Sequence, residues 1–333
     1  MQNFSDENHP YYSLTKTAEK TNKHRWKFID FFLISISIIF ASGCGPSDPQ
    51  VEEKWIVVYT SQDQVYAEKI FNAFTASTGI EVKAQYDNES AKTMGLAKRL
   101  VAEQIHPVCD VFWSNEAMAA RKLSEAGVVL GFEEFGHRAR VLIVNTNHIS
   151  LADAPKSIKD LTSPTWKGKI AMAYPLFGTT ATHILALKEE WGPEIWKDWC
   201  EGLVANQTKI VDGNSMVVRL VGAGEAWVGL TDSDDLAVGL SKGLSLASIP
   251  LEKELCAIPN TVAMVQGAPH SEWAMSFIHY MQNENVLSEM VKASALISAE
   301  LPTRDNDFLY IYWPEILAEK KESFTFLRDT FLR

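Results

Sequence analysis

The chain reads as an α/β protein of two lobes, and three features of the sequence predict it. Short β-branched apolar runs alternate with helical patterns from Trp55 onward, most runs end in a polar turn, and the alternation restarts near Val141. Strand–helix–strand order is the mark of a parallel sheet covered by helices. At 333 residues the chain exceeds what one core usually holds, which suits two α/β lobes around a cleft.

In order, WIVVY (Trp55 to Tyr59) is a buried strand, and Val65, Ile70, Phe71 and Phe74 give the following segment one apolar helical face. Gly79 ends that helix, Ile80 to Ala84 alternates as a second strand, a helix runs from Met94 to Gln104, and Asp110 to Trp113 is a third strand. The second lobe has strands at Val141 to Asn145, Lys169 to Ala173, Ile210-Val211 and Ala226 to Leu230. Its helix from Thr179 to Leu187 is expected to be capped by Thr179 or Thr180. Ala257 to Met264 is a strand returning to the first lobe. Ligands collect beyond the carboxyl ends of such strands, which selects Ser61 to Gln64, Asp87 to Ser90 and Ser114 to Glu116.

Composition narrows the function. With 46% hydrophobic residues, a net charge of −11 and a pI near 5.3, the chain is globular and lacks the basic balance that nucleic acid requires. Four cysteines with no CxxC or Cys/His pattern support neither a disulfide scaffold nor a zinc cluster, so Cys109, Cys200 and Cys256 read as core thiols. No GxGxxG after a strand, GxxxxGK[ST], GxSxG or HExxH is present, so no enzyme is expected and no catalytic cofactor is implied. A hydrolase built on the same cleft, using Ser215 or His183, is the rival class.

The N-terminus carries its own message. Basic residues Lys23, His24, Arg25 and Lys27 precede a ten-residue uncharged run, Phe31 to Phe40, which is short for a membrane span and suits a secretory signal. The run ends in ASGC, which resembles a bacterial lipobox with Ala41 where leucine is usual. The expected organisation is a signal peptide over 1–43, lipidated Cys44 opening a tether over 44–53, and folded lobes beyond. That places the mature chain in the periplasm or on the outer cell surface, anchored to the membrane through lipid.

The stretches VYTSQDQVYAEKIFNAFTASTGIEVKA, CDVFWSNE, RARVLIVN, SPTWKGKI and VDGNSMVVRLVGAGEAWVGLTDSDD resemble an extracellular solute-binding protein of an ABC importer. The nearest branch resembles ferric-ion-binding proteins of the type II periplasmic-binding-protein fold, from about Trp55 to Pro302. This resemblance implies a monomer that closes on a solute and delivers it to a membrane permease and its ATPase. It also implies crossovers at Arg140 to Asn145 and Asn260 to Val265. Lobe 1 would be 54–141 plus 257–302, and lobe 2 would be 142–256 plus 303–333.

Carried over residue by residue, the family's iron-binding histidine falls on Asp63 and its glutamate on Asn115, beside Glu116. The adjacent tyrosines fall on Ser233 and Asp234, so no phenolate is available. Asp63, Glu116, Asp232 and Asp234 take their place as hard oxygen donors suited to an iron-like cation carried as cargo. Helix capping by Asp63, Asp232 and Asp235 is the alternative. Companion-anion contacts fall on Gly178, Thr179 and Asn214, and Ser61, Ser90, Thr93 and Ser233 add polar groups. A small organic solute such as a phosphonate or polyamine remains the second ligand class. Arg140 either reaches the cleft or pairs with a carboxylate such as Glu89, and Trp113 and Tyr86 are either stacking walls or core. Next to its relatives the chain looks trimmed between Gly131 and His137 and near Leu251 to Cys256.

Overall fold

The computed structural model describes residues 53–87, 94–303, 307–318 and 320–332. The expected signal segment, Cys44 and most of the expected tether lie outside the described residues, as do Glu89, Ser90 and Thr93.

The first strand, β1 (Trp55–Thr60), leads through α1 (Gln64–Thr78) to β2 (Glu81–Tyr86), and α2 (Met94–Ala102) leads on to β3 (Val111–Ser114). Both β2 and β3 pair with β1 in parallel, as two strand–helix–strand crossovers require. After α3 (Ala117–Glu125) comes β4 (Glu133–Asn145), the longest strand. The remaining strands are β5 (Ile170–Ala173), β6 (Lys209–Val211), β7 (Val228–Asp232), β8 (Leu246–Ile249) and β9 (Ala257–Met264). They form one path in the order β2-β1-β3-β9-β4-β7-β5-β6, with β8 also on β4.

The two halves of this path meet in β4. Residues 133–139 pair with β9, whereas Arg140 to Asn145 pair with β7 and β8. The strand therefore starts eight residues before the run Val141 to Asn145 suggests, because β9 supplies a partner for a segment too polar to read as a strand. Gly136 sits at a register shift in that pairing with φ of 47°, and a Cβ there would lie 2.8 Å from the Ser298 carbonyl oxygen. Only glycine fits both the left-handed backbone and the close approach, and such a bulge re-aims the side chains that follow. Those side chains are Arg138 and Arg140.

Apolar residues pack on both faces of each half. Beside β1 and β3, one layer gathers Phe71, Phe74, Trp113 and Phe277, and the other Tyr59, Leu100 and Phe112. Trp113 is thus a core residue. In the second half, Leu142, Met172, Trp196 and Trp199 form one layer, and Val217, Val221 and Leu236 the other. Helix α4 (Gly178–Trp191) carries α10 (Trp313–Ala318), and α5 (Pro193–Ala205) carries α11 (Lys320–Phe331). Ile316 and Leu327 are buried there, each worth roughly 1.5–3 kcal/mol. The thiols of Cys109, Cys200 and Cys256 are buried and unoxidised, and burial pushes all three up. Among the described residues no helix is long and apolar enough to cross a membrane.

Candidate functional site

Strand ends from both halves converge on one polar cleft. It is lined by Asn115 and Arg138 on one side, and by Tyr174, Phe177 to Thr180, Asp212 to Asn214, Asp232 and Asp235 on the other. Its volume is about 50 Å³.

The centre is an ion-pair network built on β4 and β7. Arg140 and Asp232 are register partners across these antiparallel strands, so strand pairing itself sets them face to face. Arg140 Nη1 donates to Asp232 Oδ1 at 2.6 Å and to Asn214 Oδ1 at 3.0 Å. Asp232 Oδ2 accepts from Thr179 Oγ1 at 2.7 Å and from Asn214 Nδ2 at 2.9 Å, and lies 3.3 Å from Arg138 Nη2. Arg138 Nη1 donates to Asp234 Oδ2 at 2.6 Å, while its Nη2 donates to the Asn115 carbonyl at 3.0 Å. One guanidinium therefore ties the start of α7 (Ser233–Ser241) to the turn after β3. The Tyr66 hydroxyl adds a second tie, donating to the Asp234 carbonyl at 3.3 Å.

Burial makes the charges interdependent. All four groups are at most 2% exposed. Burial opposes ionisation of Asp232, yet Arg140, Arg138 and Thr179 outweigh it and hold this carboxyl below its usual range. Burial pushes Asp234 up; Arg138 pulls it down, and the charges of Asp232 and Asp63 add to the rise. Burial also works against Arg138, but Asp234 and Asp232 keep its guanidinium firmly protonated. Nearby His183, fully buried and donating from Nε2 to the Glu254 carbonyl at 2.7 Å, is held down at about 3 by burial and by Arg140.

The sequence-derived site residues fare differently. Thr179, Asn214, Asp232 and Gly178 come together as expected at one place. Thr179 does not cap α4, however, because Phe177 holds the N-cap position and the threonine hydroxyl is spent on Asp232. Asp232 likewise precedes α7 without a capping bond, and both its oxygens are engaged by arginine, threonine and asparagine, partners with which a metal at this carboxylate would compete. Glu116 is engaged as well. Its two oxygens accept from the Met118 and Ala119 amides at 2.7 and 3.0 Å, so it is the cap of α3, with burial pushing its carboxyl up. Ser61 bonds Asn115 and Ser114 and shapes the β3 turn, and Ser233 Oγ accepts from the Ala139 amide at 3.2 Å. Asp63 stands at the N-cap position of α1 with no capping bond and acts electrostatically on Asp234. Asp232, Asp234 and Asp235 each offer an oxygen within 4.8 Å of the others, a spacing a metal ion can bridge.

Arg138 was not foreseen, although a signal for it exists. Residues two apart on a strand share a face, so an arginine at 140 that reaches the cleft brings 138 with it. Arg140 pairs with Asp232, while Glu89, the partner first weighed for it, lies outside the described residues.

Comparisons with known proteins place the chain in a family. The major ferric iron-binding protein of Neisseria meningitidis is 29% identical over 191 residues, 51% of this chain and 56% of its own length. An Fe(3+)-binding periplasmic protein of Serratia marcescens is 26% identical over 212 residues, 58% of this chain and 60% of its own. The match thus spans little more than half the length of these relatives. Among solved structures, iron-bound HitA from Pseudomonas aeruginosa superposes with a TM-score of 0.72 at 22% identity, covering 84% of this chain and 99% of that one. AfuA from Actinobacillus pleuropneumoniae, with fructose-6-phosphate bound, gives 0.74 at 17% identity over 84% and 98%. These likenesses show the type II periplasmic binding fold. The model of the bacterial extracellular solute-binding proteins matches residues 56–291, and the chain belongs to that family.

Proposed function

We propose that the chain is the solute-binding component of an ABC importer, whose cargo is a hard, iron-like cation with a small companion anion. The observation that carries this reading is the oxygen cluster of Asp232, Asp234 and Asp235 at the cleft between the halves. With Asp232 held by Arg140, the cation contacts fall to Asp234 and Asp235 from α7 and to Asp63 from the start of α1. A cation shared across the cleft gives the closed form the extra affinity that capture requires. The anion belongs beside Gly178, Thr179 and Asn214, where the first-turn amides of α4 point outward. The two iron-binding relatives support the same cargo. In this reading the chain binds rather than turns over, acts as a monomer, and is held outside the cytoplasmic membrane by lipid on Cys44. It hands its cargo to a permease and ATPase.

A second reading has its own observation. Arg138 Nε and Arg140 Nε and Nη2 are buried without a hydrogen-bond partner among the described residues, which favours an organic anion such as a phosphonate. The cleft argues for the ion: at about 50 Å³ it is well under the roughly 300 Å³ at which pockets for drug-sized solutes begin. Calorimetry on chelator-stripped protein separates the two. Ferric citrate, ferrous, manganous and calcium ions are titrated first, then phosphate, phosphonates and polyamines. Heat and a raised melting temperature with a metal support the first reading. A response to an organic anion alone supports the second, and turnover of any substrate abolished by Ser215→Ala overturns both.

A further inference from the structure

Arg138 occupies an unusual place. It belongs to the segment of β4 that pairs with β9, yet its guanidinium lies among carboxylates carried by β7 and α7. It is 2.6 Å from Asp234 Oδ2 and 3.3 Å from Asp232 Oδ2, and it lines the cleft. The same carboxylates, with Asp235, are the group whose oxygens lie within 4.8 Å of one another. Asp234 is fully buried, and its Oδ1 has no hydrogen-bond partner among the described residues. A carboxylate with one oxygen on a guanidinium and the other unpartnered is half satisfied.

We propose that Arg138 sets the affinity threshold of this cleft, as a tethered counter-cation that a metal cargo must displace from Asp234. The inference rests on the metal reading given above. Binding is then an exchange, in which one cation enters the acid cluster while a charge of +1 moves off it. An ion of low charge density gains little more from the carboxylates than the guanidinium it replaces. A small trivalent ion gains much more, because attraction scales with its charge. The arginine thereby imposes one displacement cost on every ion, and only an ion that the carboxylates attract more strongly than that cost is held. It supplies by exclusion what the missing phenolates supply by attraction. Arg140 plays no such part, since it stays on Asp232 together with Thr179 and Asn214.

The test compares the full chain with Arg138→Gln, in calorimetry with Ga(III), a redox-inert trivalent ion supplied as citrate, and with Ca(II) and Mn(II). The exchange account expects Arg138→Gln to bind Ca(II) and Mn(II) at least ten-fold tighter than the unaltered chain. Ga(III) should tighten by a comparable factor, since the cost of moving Arg138 off Asp234 is common to every ion. A purely structural role predicts equal weakening for every ion, and that result overturns the proposal. Wild-type protein gives an independent readout if Arg138→Gln does not fold. The nitrogen-15 resonances of the Arg138 guanidinium should shift on saturation with Ga(III), and an unmoved signal in metal-saturated protein overturns the exchange. The two readings fail separately. Binding of Ga(III), Ca(II) and Mn(II) with unaltered affinities in Arg138→Gln sinks the exchange alone, whereas no metal binding in either chain sinks the metal cargo and the exchange with it.

Discussion

The two halves of the sheet path present their buried polar groups in different states of completion. On the β7 side, Asp232 has both oxygens engaged by Arg140, Thr179 and Asn214, and the strand register fixes the pair before any solute arrives. On the β1 and β9 side, Gln62 and Asn260 are at most 2% exposed, yet neither side-chain oxygen nor nitrogen has a hydrogen-bond partner among the described residues. A carboxylate engaged on both oxygens is held in place, whereas a buried amide without a partner waits for water or ligand. The difference teaches which side is the platform and which side adapts. The α4–β7 side holds the charges in place, and the β1–β9 side has polar capacity to spare.

The largest effect expected from this contrast follows removal of the platform's centre. Asp232→Ala leaves the buried charge of Arg140 uncompensated, which costs about 3–5 kcal/mol, while Arg138 keeps Asp234. Urea unfolding at neutral pH measures it, and a loss near that of an exposed surface substitution breaks the comparison.

A pH effect comes next. Because His183 is held at about 3 in the folded chain against 6.5 for a free imidazole, the unfolded state binds the extra proton between those values. Stability from this group is therefore complete above pH 6.5 and falls by about 1.4 kcal/mol per unit as the pH drops toward 3. Urea midpoints across that range should show His183→Gln with a shallower acid loss than the wild type. Identical slopes in the two chains would remove His183 from the platform.

The smallest effect sharpens the adaptable side. Gln62→Leu removes two buried, unpartnered polar atoms and should be neutral or stabilising by about 1 kcal/mol. The same substitution should weaken cargo binding if those atoms turn to the ligand. A destabilised Gln62→Leu would mean that the glutamine is already satisfied in the folded chain.

Much of this fold was legible because local patterns carry it. The β-branched run at Trp55, the αL glycine at Gly79 and the apolar strand Ala257 to Met264 fall where periodicity and turn chemistry put them. Residues 133–139 were not legible, since EEFGHRA is polar and holds a glycine; its strand character comes from β9, more than a hundred residues away. The site divides along the same line. Thr179, Asn214 and Asp232 lie at strand ends, a position that the strand–helix order reveals. That Asp232 is already held by two arginines depends on the pairing of β4 with β7, which no local window contains. The capping role of Glu116 was available from sequence, because an acid directly before AMAARKL favours the first turn of a helix.

The most direct test of the account locates the cargo. Crystals of the full chain saturated with ferric citrate, measured at the iron absorption edge, reveal iron by its anomalous scattering. The account predicts one strong peak within coordination distance of Asp234 or Asp235, with an anion at Gly178 and Thr179 and Arg138 moved off Asp234. A cleft that holds citrate alone beside Arg138 and Arg140, or iron bound away from these aspartates, contradicts it.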